Sequence, residues 1–336
     1  MQTRVVDLFA GGGGLSKGFM NAGYNLIAAF DNWKPACDLY RRNFTSHDLI
    51  ECDLESKEAV SAIAAYAPNI IIGGPPCQDF SSAGKRNEGL GRADLTVSFA
   101  KIISNIRPQF FVMENVERAI KSKTLARARR IFNKAEYGLT IQVLNAALCG
   151  VPQLRKRLFV IGELNGRDNF LLDNLDSGLS DQPMSLRDFF GDQLGFTYYY
   201  RHPRSYKRRG IFSVDEPSPT IRGVNRPVPS GYKGHPGDPT TINRNIRALT
   251  TRERSLIQTF PKYFHLHGSK TDVEQIIGNA VPVKLSEYVA VALRSYILNT
   301  KNPLQFVDPI PSLLLSQSKT KSGDNEYDLQ VANSRE

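Results

Sequence analysis

The chain has 336 residues, of which 41% are hydrophobic and 23% charged, so it suits a soluble globular protein of about two domains and not a fibrous or disordered one. The four cysteines (Cys37, Cys52, Cys77 and Cys149) form no C-x-x-C pair, which argues against zinc sites or a disulfide framework. No apolar run approaches the roughly 18 residues of a membrane helix, and the start lacks a signal-peptide core, so we expect a cytoplasmic protein without a metal.

Apolar runs alternate with helical patterns through the first half of the chain. The predicted strands are 5–10, 26–30, 70–72, 110–113 and 158–161, and the predicted helices are 15–22, 57–66, 99–106 and 125–135. Strands that alternate with helices predict an α/β fold with a mostly parallel sheet and helices on both faces.

This rhythm stops after Gly162. Residues 163–270 are rich in Gly, Pro, Asp and Arg and predict a second, loop-rich domain. A helix over 283–298 would pack back on the first domain, so we expect 1–162 to be completed by 271–300, with 301–336 as a loosely held tail. No internal repeat is present.

The formal net charge is +10, and residues 201–254 alone carry +8. Residues 201–254 hold twelve Lys and Arg against four acids, with tyrosines and a phenylalanine between them. A basic stretch with interleaved aromatic residues is typical of a surface that binds a phosphate backbone and bases. A solvated surface loop explains the same composition equally well.

The sequence DLFAGGGGLSKGF places a glycine turn between a predicted strand and a helix. Such turns bind ligands at the carboxyl edge of α/β sheets, where the backbone approaches the ligand closely. Asp31, twenty residues after Gly11, is positioned to hold ribose hydroxyls, and Asp53 could hold an adenine amino group. The turn is not a G-x-G-x-x-G, which weakens a dinucleotide interpretation, and glycine turns alone are common.

Two candidate catalytic residues follow predicted strands. Cys77 lies in IIIGGPPCQDFS, on a turn stiffened by two prolines, where a thiol of lowered pKa could attack a ligand. Glu114 lies in FFVMENV and should emerge at the same edge, where a buried carboxyl group can protonate a ring nitrogen. An inert buried cysteine and a capping glutamate are the structural alternatives.

The sequence QLRKRLFVIG adds two alternating arginines, Arg155 and Arg157, which should share one face as they enter a strand. They could clamp a phosphate or orient Glu114. A basic strand edge is an equally ordinary structural device.

These motifs closely resemble those of the cytosine carbon-5 DNA methyltransferases, over nearly all of the chain except about 162–246. Seven motifs stand in the family's order: DLFAGGGG, GGPPCQDFS, RADL, ENV, QLRKR, RALTTRERSLIQTFP and IGNAVPVKLS. Two departures are mild: four consecutive glycines fill the first motif, and Asn32 stands where an aromatic residue often follows the acid.

The resemblance implies a methyltransferase with a Rossmann-like mixed sheet, plus a smaller target recognition domain in the divergent segment. It implies Cys77 as nucleophile and Glu114 as the acid at ring nitrogen 3, with Arg155 and Arg157 steadying the flipped base and its phosphate. It also implies that S-adenosylmethionine is contacted by Phe9, Ala10, Gly11, Gly12, Gly13, Gly14, Asp31, Asn32, Asp53, Leu54, Gly74, Leu95, Asn279 and Val281.

DNA contacts are expected from two regions. A polar, glycine-punctuated loop over 80–95 should close on DNA, and Arg and Asn in the basic segment could read guanine and adenine edges. The candidates are Ser81, Lys85, Arg86, Arg201, Arg204, Arg208, Arg209, Arg222, Asn225 and Arg226. The expected partners are double-stranded DNA and a restriction endonuclease of the same specificity, and the expected state is a monomer.

Three rivals share parts of this pattern. A transfer RNA methyltransferase of the same superfamily would have the same catalytic residues, but the C-F-T-like insertion of that branch is absent. A catalytically dead DNA-binding homologue is disfavoured because Cys77 and Glu114 are intact. A nicotinamide dehydrogenase would need the missing G-x-G-x-x-G.

Overall fold

The computed structural model describes residues 2–76, 95–203, 205, 207–300 and 304. Its strands are β1 (Val5–Leu8), β2 (Leu26–Asp31), β3 (Asp48–Glu51), β4 (Ile70–Gly73), β5 (Phe110–Val116), β6 (Tyr137–Asn145), β7 (Gln153–Leu154), β8 (Lys156–Leu164), β9 (Tyr198–Tyr200), β10 (Ile211–Ser213) and β11 (Ser218–Pro219). Its helices are α1 (Gly14–Asn21), α2 (Lys34–Asn43), α3 (Ala59–Ala64), α4 (Leu95–Ile106), α5 (Lys123–Lys134), α6 (Leu172–Asp176), α7 (Leu186–Phe190), α8 (Thr251–Ile257), α9 (Lys270–Asn279) and α10 (Val283–Asn299).

Seven strands form the main sheet in the order β3-β2-β1-β4-β5-β8-β6. The neighbours from β3 to β5 are parallel, whereas β8 runs antiparallel to both β5 and β6. The predicted α/β class with a mixed, mostly parallel sheet is therefore confirmed. Because β1, β2, β4 and β5 are parallel, their carboxyl ends meet at one edge, which we call the catalytic edge.

Helices cover both faces of the sheet. Phe99 of α4 and Phe132 of α5 are buried in one apolar cluster on one face. On the other face α10 packs on α1 so closely that a Cβ on Gly18 would lie 2.4 Å from the side chain of Ser286. The run Lys270–Asn299 is apolar and long enough to cross a membrane, but 72% of its most apolar window is buried inside the protein, as in a core helix.

The segment between β8 and α9 is built mainly from short strands and loops. Strands β9 and β10 form an antiparallel ribbon, and β11 pairs in parallel with β7 of the preceding motif. Phe189, Tyr199 and Phe212 of this segment share an apolar cluster with Tyr40 and Phe44 of α2 and its C-cap. The segment thus packs directly on the part of the chain that carries the sheet.

Candidate active site and cofactor loop

The glycine turn after β1 is closed on one side and open on the other. Phe9, Gly11 and Gly13 have φ values of 59°, 54° and 78°, in the left-handed region that glycine adopts most easily. A Cβ on Gly13 would lie 2.3 Å from the Phe44 ring, and one on Gly14 would lie 2.1 Å from the Val281 carbonyl oxygen. At Gly11 a Cβ would meet nothing nearer than 4.0 Å, so this glycine faces open space.

Asp31 links the end of β2 to this turn. Its Oδ2 accepts a 2.8 Å hydrogen bond from the Gly11 N–H, and its Oδ1 accepts one of 2.8 Å from the Trp33 N–H. Burial raises the pKa of Asp31, while these backbone hydrogen bonds act in the opposite direction. Each carboxylate oxygen keeps one acceptor site, which is enough to hold a pair of ligand hydroxyls.

The remaining predicted cofactor residues lie at or just beyond the ends of other elements. Asp53 is exposed just beyond β3, and its Oδ1 accepts a 3.0 Å hydrogen bond from the Glu55 N–H, whereas Leu54 is buried. Carboxylates here favour a ligand that offers hydroxyl and amino donors and disfavour a pyrophosphate. The residues therefore fit a nucleoside such as the adenosyl group of S-adenosylmethionine. Asn32 is exposed, Val281 is buried against Gly14, and Leu95 is the first residue of α4.

Glu114 lies inside the protein near the catalytic edge, on the strand that is central to the site. Its side chain is 10% exposed, and its Oε1 lies 2.8 Å from Nε of Arg157 on the neighbouring strand β8. Burial raises the pKa of Glu114, and the positive charges of Arg157 and Arg155 partly offset the effect. The pair thus places a buried carboxyl group of raised pKa where it could donate a proton to a ligand.

The chain that leads to Cys77 passes directly over Glu114. A Cβ on Gly74 would lie 3.4 Å from Oε2 of Glu114, so glycine leaves this carboxylate oxygen uncovered. The buried Asn115 side chain donates a 3.4 Å hydrogen bond to the Pro75 carbonyl oxygen and so ties this loop to β5. Cys77 itself lies outside the described residues.

The two arginines of the QLRKR motif have different surroundings. Arg155 is 1% exposed, and its guanidinium donates hydrogen bonds of 3.0, 3.0 and 2.9 Å to the carbonyl oxygens of Ile221, Gly278 and Ala280. Both terminal nitrogens of Arg155 thus donate inside the protein, and a role of this residue in steadying a flipped base or its phosphate stays a prediction. Only Arg157 reaches Glu114 directly.

Gln153 and Gln258 were missed by the sequence analysis. Their buried amides hydrogen-bond to each other at 2.7 Å, while Gln153 Oε1 accepts from the Ile221 N–H at 2.8 Å and Gln258 Nε2 donates to the Ile277 carbonyl at 2.6 Å. The motif around Arg155 is therefore the joint between the sheet, the basic segment and the chain before α10. Burial among backbone groups is the physical signal, and a single sequence does not display it.

A second buried polar chain lies behind the glycine turn. Ser16 donates a 2.6 Å hydrogen bond to Asp7 Oδ2, and its hydroxyl lies 2.8 Å from that of Tyr40, which lies 2.7 Å from Nε2 of His47. Asp7 is fully buried, and burial raises its pKa to about 7 despite the Ser16 hydrogen bond. The sequence places Asp7 in a strand but does not show that its carboxyl group is isolated from solvent.

The predicted DNA-contacting residues fall into three groups. Ser81, Lys85, Arg86 and Arg204 lie outside the described residues. Internal contacts occupy Arg201, Arg209, Arg222 and Asn225: for example, Arg209 pairs with Glu216 and stacks 4.4 Å above the Phe212 ring, and Asn225 donates to the Leu249 carbonyl at 2.8 Å. Arg208 and Arg226 are exposed, which leaves their guanidinium groups accessible to a partner.

Within the described ranges no three His, Cys, Asp or Glu side chains are grouped so that they could hold a metal ion. The described residues provide a buried acid, an arginine that pairs with it and a glycine turn that could hold a nucleoside. All three lie near the catalytic edge.

Comparison with known proteins agrees with this arrangement. The profile of the C-5 cytosine-specific DNA methylases matches residues 3–295. The Type II methyltransferase M.HindV of Haemophilus influenzae is 56% identical over 295 residues, covering 87% of this chain and 97% of the relative. M.HgiDI of Herpetosiphon aurantiacus is 55% identical over 295 residues, covering 88% and 95%.

Among solved structures, the S. pombe Dnmt2 methyltransferase superposes with a TM-score of 0.66 at 18% identity, covering 89% of this chain and all of that chain, and supports the fold. The chain therefore belongs to the C-5 cytosine-specific DNA methylase family and is a DNA methyltransferase. Members of this family use S-adenosylmethionine as the methyl donor.

Proposed function

We propose that the enzyme methylates carbon 5 of a flipped-out cytosine within one short duplex sequence, through a covalent bond between Cys77 and carbon 6. The observation that carries the proposal is the buried Glu114–Arg157 pair, 2.8 Å apart, under the loop that leads to Cys77. A buried acid under the segment that leads to the expected nucleophile supports a reaction that needs both groups.

Glu114 and Cys77 act on the same ring from two positions. The Cys77 thiolate adds to carbon 6, and a proton from Glu114 goes to ring nitrogen 3, so the electron pair of the carbon 5–carbon 6 double bond becomes available at carbon 5. S-adenosylmethionine, when bound at the glycine turn, supplies an electrophilic methyl group. Once carbon 5 carries the methyl group, a base removes the carbon-5 proton while the sulfur–carbon-6 bond breaks. Ring nitrogen 3 returns its proton to Glu114, so Cys77 and Glu114 are both regenerated.

Arg157 has a positioning role in this scheme, because it fixes the Glu114 carboxyl group and opposes the pKa rise that burial causes. Arg155, Gln153 and Gln258 position the strand that carries Arg157. The open face of the turn at Gly11 and the carboxylates of Asp31 and Asp53 would bind the adenosyl part.

The substrate inferred for this site is duplex DNA, with 163–270 as the recognition domain and 301–336 as a tail outside the catalytic core. A base within a duplex must be extruded at a cost of a few kcal/mol before carbon 6 can be attacked. The Type II names of the relatives favour a restriction-modification role, in which a cognate endonuclease would be expected. The proposed enzyme acts as a monomer on the nucleoid DNA of a bacterial cytoplasm. A transfer RNA substrate has less support from the same names.

Covalent trapping tests this proposal without knowledge of the recognition sequence. A DNA fragment synthesised with 5-fluorocytosine in place of cytosine should trap the enzyme, because fluorine cannot leave carbon 5 as the proton does. With S-adenosylmethionine, wild type and Cys149→Ser should form a denaturant-stable complex with DNA, and Cys77→Ser should form none. A complex that survives Cys77→Ser would refute the assignment of the nucleophile.

A further inference from the structure

Helix α5 carries several exposed Lys and Arg side chains that take no part in the proposed active site. Its residues Thr124, Leu125, Ala128 and Phe132 are buried against the sheet. On the opposite side Lys123, Arg127, Arg130 and Lys134 are all exposed. Their spacing of four, three and four residues places them along one face of the helix, and we call this row the basic stripe.

The basic stripe is unusual because its own stretch of sequence contains no acidic residue. Residues 118–134 contain seven Lys and Arg and no Asp or Glu. Like charges three and four residues apart repel one another, and Lys123 stands in the first turn, where the helix dipole disfavours a cation. The arrangement weakens the helix locally, so a role in binding explains it better than solubility does.

Charge elsewhere in the chain strengthens this argument. The chain carries a net +10, of which 201–254 contribute +8 and 118–134 contribute +7, so the remaining residues together carry −5. Net positive charge is thus concentrated in these two segments, and the rest of the chain carries a net negative charge. One of them is the segment inferred to bind DNA.

The position of the basic stripe connects it to the catalytic edge. Strand β5 carries Glu114 and ends at Val116, and a short turn of 3-10 helix, Glu117–Lys121, leads directly into α5. Exposed Arg118 and Lys121 on this turn extend the positive surface towards the edge. Helix α5 is about 18 Å long, a distance over which one DNA strand carries about five phosphates.

We propose that the basic stripe binds the phosphate backbone of duplex DNA that flanks the methylated sequence; this rests on the enzyme's acting on duplex DNA. The contact is independent of base sequence. It holds the enzyme on long DNA outside the recognition site and raises the affinity for long substrates over short ones.

Salt-dependent binding of the full chain tests the proposal. The variant R130Q/K134Q removes two charges of the basic stripe, and R42Q/K270Q removes two exposed charges from α2 and α9, which pack against each other elsewhere. Affinity for a random-sequence duplex of about 40 base pairs is measured at several salt concentrations. Thermal unfolding checks that each variant folds.

R130Q/K134Q should lower the magnitude of the salt slope by about 1.8 and weaken binding by roughly eightfold per lost contact at 0.1 M salt. Its unfolding temperature should not fall, because like charges have been removed. R42Q/K270Q should retain the wild-type slope. An unchanged slope for R130Q/K134Q would overturn the proposal, and if that variant still methylates plasmid DNA, the proposed function stands without it.

Discussion

Replacement of the two arginines of the QLRKR motif should give different results. Arg155 holds three segments of the chain together through backbone carbonyl oxygens, whereas Arg157 pairs with the Glu114 carboxylate. Arg155→Gln removes a buried donor from the carbonyl oxygens of Ile221, Gly278 and Ala280, of which Ala280 keeps a 3.1 Å hydrogen bond from Gln258. At about 1–3 kcal/mol for each of the two acceptors left unpaired, we expect a loss of roughly 2–6 kcal/mol in the free energy of unfolding. This loss should vary less with pH than the loss for Arg157→Gln, because Arg155 lowers the pKa of Glu114 by charge alone and less than Arg157 does.

Arg157→Gln removes the partner of Glu114, whose pKa burial already raises. Without Arg157 the pKa of Glu114 should rise further, so that Glu114 takes up a proton and becomes neutral at a higher pH. When the pKa of an acid is raised in the folded state, the full stability is present below the unfolded-state pKa and is lost as pH rises through the folded-state pKa. The loss in the free energy of unfolding caused by Arg157→Gln should therefore grow with pH, by up to about 1.4 kcal/mol per pH unit.

Urea unfolding of both variants between about pH 5 and pH 8 separates the two cases, with exposed Arg208→Gln as a control that should shift stability by less than about 0.5 kcal/mol. A loss that varies with pH as strongly for Arg155→Gln as for Arg157→Gln, or a pH-independent loss for Arg157→Gln, would refute this division of roles.

Other outcomes follow from single contacts. Gly14→Ala, whose Cβ would meet the Val281 carbonyl at 2.1 Å, should cost more than about 2 kcal/mol and reduce S-adenosylmethionine affinity in calorimetry, whereas Gly231→Ala, with nothing within 4 Å, should do neither. Since burial raises the pKa of Asp7 to about 7, wild type should lose up to about 4 kcal/mol between about pH 4 and pH 8, and Asp7→Asn should remove most of that loss in urea titrations. Arg226→Ala should weaken DNA binding in gel shifts without loss of stability, and Arg209→Ala, which breaks the Glu216 pair, should lower the unfolding temperature.

The parts of the fold that the sequence predicts best are the fully buried ones. Strands β1, β2, β4 and β5 consist mainly of apolar residues, as expected for a parallel sheet covered on both faces. Strand β3 was missed because it is a half-exposed edge strand with the pattern Asp-Leu-Ile-Glu. Helix α2 was missed because its sequence is largely polar and charged, although Cys37 and Tyr40 are buried.

The candidate site shows the same limit. The sequence offered contact between Arg157 and Glu114 as one of several possibilities, and the structure shows that contact at 2.8 Å. The sequence did not predict that Gly13 and Gly14 are required by Phe44 and Val281, since those contacts join residues distant in sequence. Likewise, the side-chain partners of Arg155 depend on the tertiary arrangement of three separate segments.

Methylation mapping of plasmid DNA tests the central claim most directly. Unmethylated plasmid is incubated with S-adenosylmethionine and wild type, Cys77→Ser, Glu114→Gln or the exposed control Glu117→Gln, and then sequenced by a chemistry that detects 5-methylcytosine. Wild type and Glu117→Gln should mark cytosine within one short motif, Cys77→Ser should leave no marks, and Glu114→Gln should be slower by at least about 100-fold. Marks of wild-type density with Cys77→Ser would contradict the account.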